Sequence, residues 1–146
     1  MKTFHISDIL SITTGGLVSD RHMDGVYDIL NFLTGDELLT HQLPRAMREC
    51  EPWLRTQFPA FFPDNAVMKV LLSGLAVSLE LVESKEGREA TCAHFVTSAR
   101  IALRVPEHLP VYEMPEGEHT HIDALEEAGA IKGDDKVIMV VASEDA

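Results

Sequence analysis

Two short stretches concentrate the side chains able to do chemistry. The first is "EHTHID", residues 118–123. His119 and His121 stand two apart, which on an extended chain puts both rings on one side. A pair of imidazoles at that spacing is a ligand set for a divalent transition metal, and Asp123 would add a carboxylate. The same carboxylate suits the N-cap of a following helix, a role worth about 1 kcal/mol, so the two uses compete. The second stretch is "THQLPRA", residues 40–46. His41 could serve as an acid or base if a carboxylate positioned it, and Asp36 is the nearest in sequence. Arg45 near a helix start could hold an anion. Against this stands a plainer reading as a joint between helices. Thr40 or Gln42 would satisfy helix-end amides, Pro44 would occupy the first turn, and Arg45 would pair with an acidic neighbour. The residue types suit that joint. Nucleophile motifs are missing: there is no G-x-S-x-G, no P-loop and no G-x-G-x-x-G. Cys50 and Cys92 form no C-x-x-C and lack neighbouring cations to activate them, so they read as reduced, packed thiols. No cofactor is expected.

These groups must be positioned by the elements around them. Residues 3–6 suit a short strand, and "ISDILSITTGG" a short helix with Ser7 at its N-cap. "SDRHMDGVYDILNFLTG" reads as a helix capped by Ser19 or Asp20, with Val26, Ile29, Leu30 and Leu33 at helical spacing and Gly35 at the left-handed C′ position. After the connector "DELLTHQL", Pro44 opens a helix carrying Ala46, Met47 and Cys50. Pro52 ends or kinks it. Residues 66–82 favour a buried helix capped by Asp64 or Asn65, with Val67, Val70, Leu71, Leu75, Leu79 and Val82 inward; a hairpin turning at Ser73-Gly74 is the alternative. Another helix is expected over residues 88–104. Beyond it, "LPVYEMP" reads as a short β-run, "HIDALEEAGAIKG" as a helix capped by Asp123 with Glu126 completing a capping box, and "DKVIMVV" as a buried strand. The expectation is one α+β domain over residues 1–146. A helical part (1–63) carries the motif, a helical middle (64–105) follows, and a small acidic β-α-β unit (106–146) brings a parallel pair within a two- or three-stranded sheet.

Charge narrows the function. The chain holds 24 acidic and 12 basic residues, a net −12. Residues 107–146 hold eleven acidic and two basic, so −9 of that total sits on the last 40 residues. Such a field repels phosphate backbones and attracts basic protein surfaces. Glu113, Glu116, Glu118, Glu126, Glu127, Asp134 and Asp135 are the candidates for the docking face. The apolar run at 66–82 is interrupted by polar residues, which argues against a membrane span, and Asp8 falls too early for a signal peptide. A cytoplasmic protein is expected, with its oligomeric state open and a homodimer compatible with the sequence.

"HISDILSITTG", "DGVYDILNFLTGDELLTHQLPRAMREC" and "HTHIDALEEAGAIKGDDKVIMVV" resemble a family of small phage and prophage proteins of uncharacterised function. The resemblance is strongest over residues 5–50 and rests on Ile6 to Leu10, Gly25 to Leu30, the Thr34-Gly35-Asp36 triplet and the string from Thr40 to Ala46, a "TGD-x-L-x-THQLPRA" pattern. It transfers no catalytic residue; it implies an accessory gene of mobile DNA acting in a bacterial cytoplasm. Together with the charge, it points to a non-enzymatic, anti-CRISPR-like inhibitor of a host defence system that handles nucleic acid. Such an inhibitor would dock on a basic nucleic-acid-binding surface of a host protein, with no direct nucleic-acid contact. Two alternatives come from other classes. A phage DNA-binding regulator would use a helix-turn-helix-like segment over residues 23–50 with Arg45, Arg48 and Arg55 aligned. A small metal-dependent enzyme would use His119 and His121.

Overall fold

Phe4 begins the structure's core. In the computed structural model, which describes residues 1–130, strand β1 (Lys2–His5) buries Phe4 and pairs antiparallel with β2 (His108–Val111). Phe4 lies opposite Leu109, and His5 opposite His108. Between the strands run α1 (Ile6–Thr14), α2 (Met23–Thr34), α3 (Leu43–Gln57), α4 (Ala66–Glu80) and α5 (Lys85–Leu103); α6 (Ala124–Ala130) follows β2. Single 3₁₀ turns at Thr40–Gln42 and Pro59–Phe61 precede and follow α3. The fold is α+β, mostly helical with one small antiparallel sheet. The expected β-α-β unit is described in part. β2 and the helix capped by Asp123 are present, but β2 pairs antiparallel with the chain's first strand. The strand expected at 136–142 lies outside the described residues.

Three caps differ in detail from expectation. His5, not Ser7, caps α1: its Nδ1 accepts the Ser7 N–H at 3.1 Å. α2 starts at Met23, because Ser19 and Arg21 are drawn to a buried carboxylate instead. α5 starts at Lys85, with Ser84 accepting the Gly87 N–H. Gly35 takes the left-handed conformation (φ 71°) that ends α2, as its position implied. Pro52 does not stop α3. It sits on the exposed side beside exposed Arg48, so the carbonyl that loses its partner four residues back faces water.

The 66–82 run resolves as a helix over Ala66–Glu80 and not as a hairpin, with Asn65 accepting the N–H groups of Val67 and Met68. Its inner side is the expected one only in part: Leu71 and Leu75 face inward as expected, Val67 and Val70 do not. Met68 is buried and Leu71, Leu72 and Leu75 are partly buried against the core, whereas Val67 and Val70 are 43% and 72% exposed. Apolar residues extend round much of the helix, so its pattern marks the inner face only in part; packing against α5, whose buried residues are Phe95, Val96 and Ala99, decides it. By length and composition the run Pro59–Glu80 would suffice to cross a membrane.

A polar network ties α1 to α2. Asp8 is completely buried, and a buried carboxylate must be paired. Arg21 meets it at 2.5 Å and also reaches Asp28, while the Ser19 hydroxyl donates to the other oxygen of Asp8 at 2.5 Å. Ser11 accepts the N–H groups of Val18 and Ser19 and donates to the Ser7 carbonyl, fixing the connector over α1. Gly25 lies against this cluster; a Cβ there would run into both Asp8 and Ser19. Gly25→Ala is therefore expected to cost about 2–4 kcal/mol, seen as a lower urea midpoint with an unchanged m-value.

Candidate functional site

The joint "THQLPRA" has a partner far along the chain. Gln42, 2% exposed, uses its whole amide. Its Oε1 accepts the Leu39 N–H at 3.0 Å, and its Nε2 donates to the Ile122 carbonyl and to Glu127 Oε1, both at 3.1 Å. Arg45 forks onto the same carboxylate, Nε to Oε2 at 2.7 Å and Nη2 to Oε1 at 2.8 Å. Its remaining nitrogen donates to the Thr120 carbonyl at 2.5 Å and to Glu49 at 3.0 Å. Pro44 in the first turn of α3 starts the helix that aims Arg45. The Arg45 hydrogen bonds hold the Glu127 carboxyl below its ordinary range against the effect of burial, with Gln42 adding to them. The motif is thus a clasp that closes on residues 120–127.

Beside the clasp lies a histidine–carboxylate cluster. Asp36 follows the glycine that ends α2. Its N–H donates to Thr34 Oγ1, and its Oδ1 accepts the Glu37 N–H at 2.9 Å. Its Oδ2 faces His119 Nε2 at 3.3 Å and His121 Nδ1 at 3.2 Å. Burial raises the Asp36 carboxyl, but hydrogen bonds with His119 and His121 outweigh it and hold the group below its ordinary value. His119 also contacts Glu49 on α3, Nδ1 to Oε1 at 2.7 Å, and Glu49 Oε2 accepts the Thr120 N–H at 3.2 Å. The two rings stand 4.6 Å apart and nearly perpendicular. The His119 side chain is 4% exposed and that of His121 63%, so the cluster has a closed inner edge and an open outer one. Asp36, His119 and His121 can direct one ligand atom each to a common point.

Comparison with known proteins locates part of this site. Residues 4–62 match the family model of a domain of unknown function (DUF7736). No curated protein and no solved structure matches the chain. The DUF7736 match covers under half of the sequence and contains Asp36, Gln42, Arg45 and Glu49. His119, His121 and Glu127 lie beyond it, so the matched stretch supplies one side of the clasp and the cluster, and the acidic segment supplies the other.

The remaining candidates fall in different places. Asp123 takes the capping role, accepting the N–H groups of Leu125 and Glu126, and is not part of the histidine cluster; Asp36 stands there in its place. His41 is half-buried and Thr40 contacts the Tyr27 hydroxyl. Glu113, Glu116, Glu118 and Glu126 are exposed, as a docking face needs. Glu127 is not: it is buried in the clasp, because Arg45 and Gln42 supply the donors that let a carboxylate leave water. Asp134 and Asp135 lie outside the described residues. Of the three arginines weighed for DNA, Arg45 is held in the clasp and Arg55 pairs with Asp64 and lies over the Phe62 ring, while Arg48 is exposed. Cys50 is buried, and burial pushes its thiol up to about 12, which keeps it inert at neutral pH. Glu49 was not foreseen from sequence. Its only signal is the i, i+4 spacing to Arg45 on a helix. A separate cleft of about 630 Å³ opens between α1, α4 and α5, and none of its lining residues belongs to the clasp or the histidine cluster.

Arg45→Ala is expected to release residues 115–130 while α1–α3 stay folded. Loss of the forked pair, about 2–3 kcal/mol for groups this nearly buried, should speed deuterium uptake in that segment about 10–100-fold. The pair also carries a pH signature. With its folded value lowered, Glu127 contributes in full above the unfolded glutamate value of about 4.3 and loses its contribution as pH falls through the lower folded value. Exchange protection of residues 120–127 should fall in that acidic range, and Glu127→Gln should abolish this part of the acid response.

Proposed function

We propose that this protein is a non-enzymatic binding protein of phage or prophage origin that works in a bacterial cytoplasm. It inhibits a host system that handles nucleic acid, in the manner of an anti-CRISPR, by docking its acidic C-terminal segment on a basic protein surface. The observation that carries this reading is the segment's one-sided charge. Residues 107–130 hold seven carboxylates and neither lysine nor arginine, and Glu113, Glu116, Glu118 and Glu126 among them are exposed. A carboxylate array on an anchored segment presents negative charge without bases, and competes with nucleic acid for the same cations. The clasp favours the reading physically, since anchoring the segment lowers the ordering cost of binding. The resemblance to phage and prophage proteins supplies the context. For a DNA-binding regulator the observations are less favourable: two of the three arginines it requires are in ion pairs.

The test is a partner isolated from the bacterial host, followed by affinity measurements with the purified pair. Affinity should fall about tenfold or more between low and high salt. The triple charge reversal E116K/E118K/E126K should weaken binding by a similar factor, while reversal of Glu83 and Glu86 at the start of α5 should leave it near the original value. A salt-independent affinity, or full binding by the triple variant, overturns the proposal.

A further inference from the structure

We infer that Asp36, His119 and His121 form a binding site for a divalent first-row transition metal of the zinc type, with Glu49 as the group that orients His119. This goes beyond the docking reading and does not depend on it.

Three features of the geometry lead here. The first is the spacing. Ligand atoms about 2.0–2.1 Å from a tetrahedral metal stand about 3.3 Å from one another, and Asp36 Oδ2 lies 3.3 Å from His119 Nε2 and 3.2 Å from His121 Nδ1. All three ligand atoms fall within 4.8 Å of one another. The exposed His121 ring is the one able to turn and close the set.

The second is the hydrogen bonding of His119. This imidazole is nearly buried and has a carboxylate at each nitrogen, Glu49 at Nδ1 and Asp36 at Nε2. A neutral imidazole has one N–H, so it can donate to only one of them. A doubly protonated ring would donate to both; in the neutral ring a cation can take the place of the missing proton at the second contact. With Nδ1–H donating to Glu49, Nε2 presents a lone pair toward Asp36, and a cation between the two satisfies both. This is the carboxylate–histidine–metal arrangement, in which the outer carboxylate fixes the tautomer and raises the basicity of the ligand nitrogen. Glu49 is itself fixed by Arg45 and by the Thr120 N–H.

The third is how each ligand is aimed. Asp36 Oδ1 is occupied by the Glu37 N–H, which leaves Oδ2 for the cluster. The loop carrying the histidines is tied at both ends, by the Met114 N–H to the Leu33 carbonyl at 3.1 Å and by Thr120 to Glu49 and Arg45. Two imidazoles and one carboxylate select zinc, cobalt or nickel over calcium or magnesium, which want oxygen ligands throughout. The exposed side of His121 leaves the fourth position open to solvent.

The test uses the untagged full chain, freed of metal by chelator and titrated with zinc chloride alone by calorimetry and by competition with a chromogenic chelator. One zinc per chain, at micromolar affinity or tighter, is expected. Cobalt(II) should give visible absorption bands of a tetrahedral or five-coordinate centre. His121→Ala changes an exposed side chain and should keep the fold, checked by circular dichroism, yet weaken zinc binding about 100-fold and remove the cobalt bands. Glu49→Gln should weaken it about 10–100-fold. His108→Ala, which alters the unrelated His5–His108 ring contact, should leave it unchanged. Absence of stoichiometric zinc, or zinc binding that survives His121→Ala intact, overturns the inference. Metal loading and partner docking are separate readouts, so either idea can fail alone.

Discussion

A carboxylate can leave water only where donors replace its hydration, and Glu127 meets that requirement through Arg45 and Gln42. Both donors come from the start of α3, 82 and 85 residues earlier in the chain. The pair therefore does more than join two side chains. It sets where the segment after β2 must lie, and so brings Thr120 over Glu49 and the two histidines over Asp36. Arg45 suits this task as lysine would not: its planar fork takes both carboxylate oxygens and still has a nitrogen left for the Thr120 carbonyl and Glu49.

Several residues of the stretch that matches the domain of unknown function place polar partners against one another. Asp8 and Gly25 meet in the buried network between α1 and α2; Gly25 is small because Asp8 and Ser19 fill the space beside it. Thr34, Gly35 and Asp36 end α2 and turn a carboxylate toward the histidines. Gln42 and Arg45 form the clasp. Asp8, Asp36, Gln42 and Arg45 are polar groups whose partners must be placed to within a few tenths of an ångström, which an apolar position does not demand, and Gly25 and Gly35 supply the space and the turn they need.

The helices were legible because their ends carry chemical signals: Gly35, Pro44, Asn65 and Asp123 all act where their residue types predict. In "THQLPRA" Arg45 pairs with a carboxylate, as the residue types suggested. What sequence could not supply was which carboxylate, since residue 127 is remote and several others are nearer. The same limit displaced the third member of the histidine cluster. Asp123 is adjacent in sequence and Asp36 is not, but the N–H groups of α6 claim Asp123 first. For α4 the partial error has another cause: apolar residues extend round more of the helix than the core covers, so its own pattern marks the inner face only in part, and the position of α5 settles the rest.

Charge makes the anchoring of the C-terminal segment a problem in its own right. The segment is strongly acidic, and the surface it rests on offers it Asp36 and Glu49, so carboxylates would face carboxylates if orientation were left to chance. The arrangement avoids this by sorting donors from acceptors. The two imidazoles and the Thr120 N–H point inward at Asp36 and Glu49, and Arg45 reaches outward from α3 to Glu127. Glu113, Glu116, Glu118 and Glu126 are left facing water. Docking the segment thus concentrates its negative charge on the outer face as a consequence of satisfying the inner one. Any cation held between Asp36 and the histidines would strengthen the inner contact without neutralising that face, which is how one short stretch can be both firmly seated and strongly acidic.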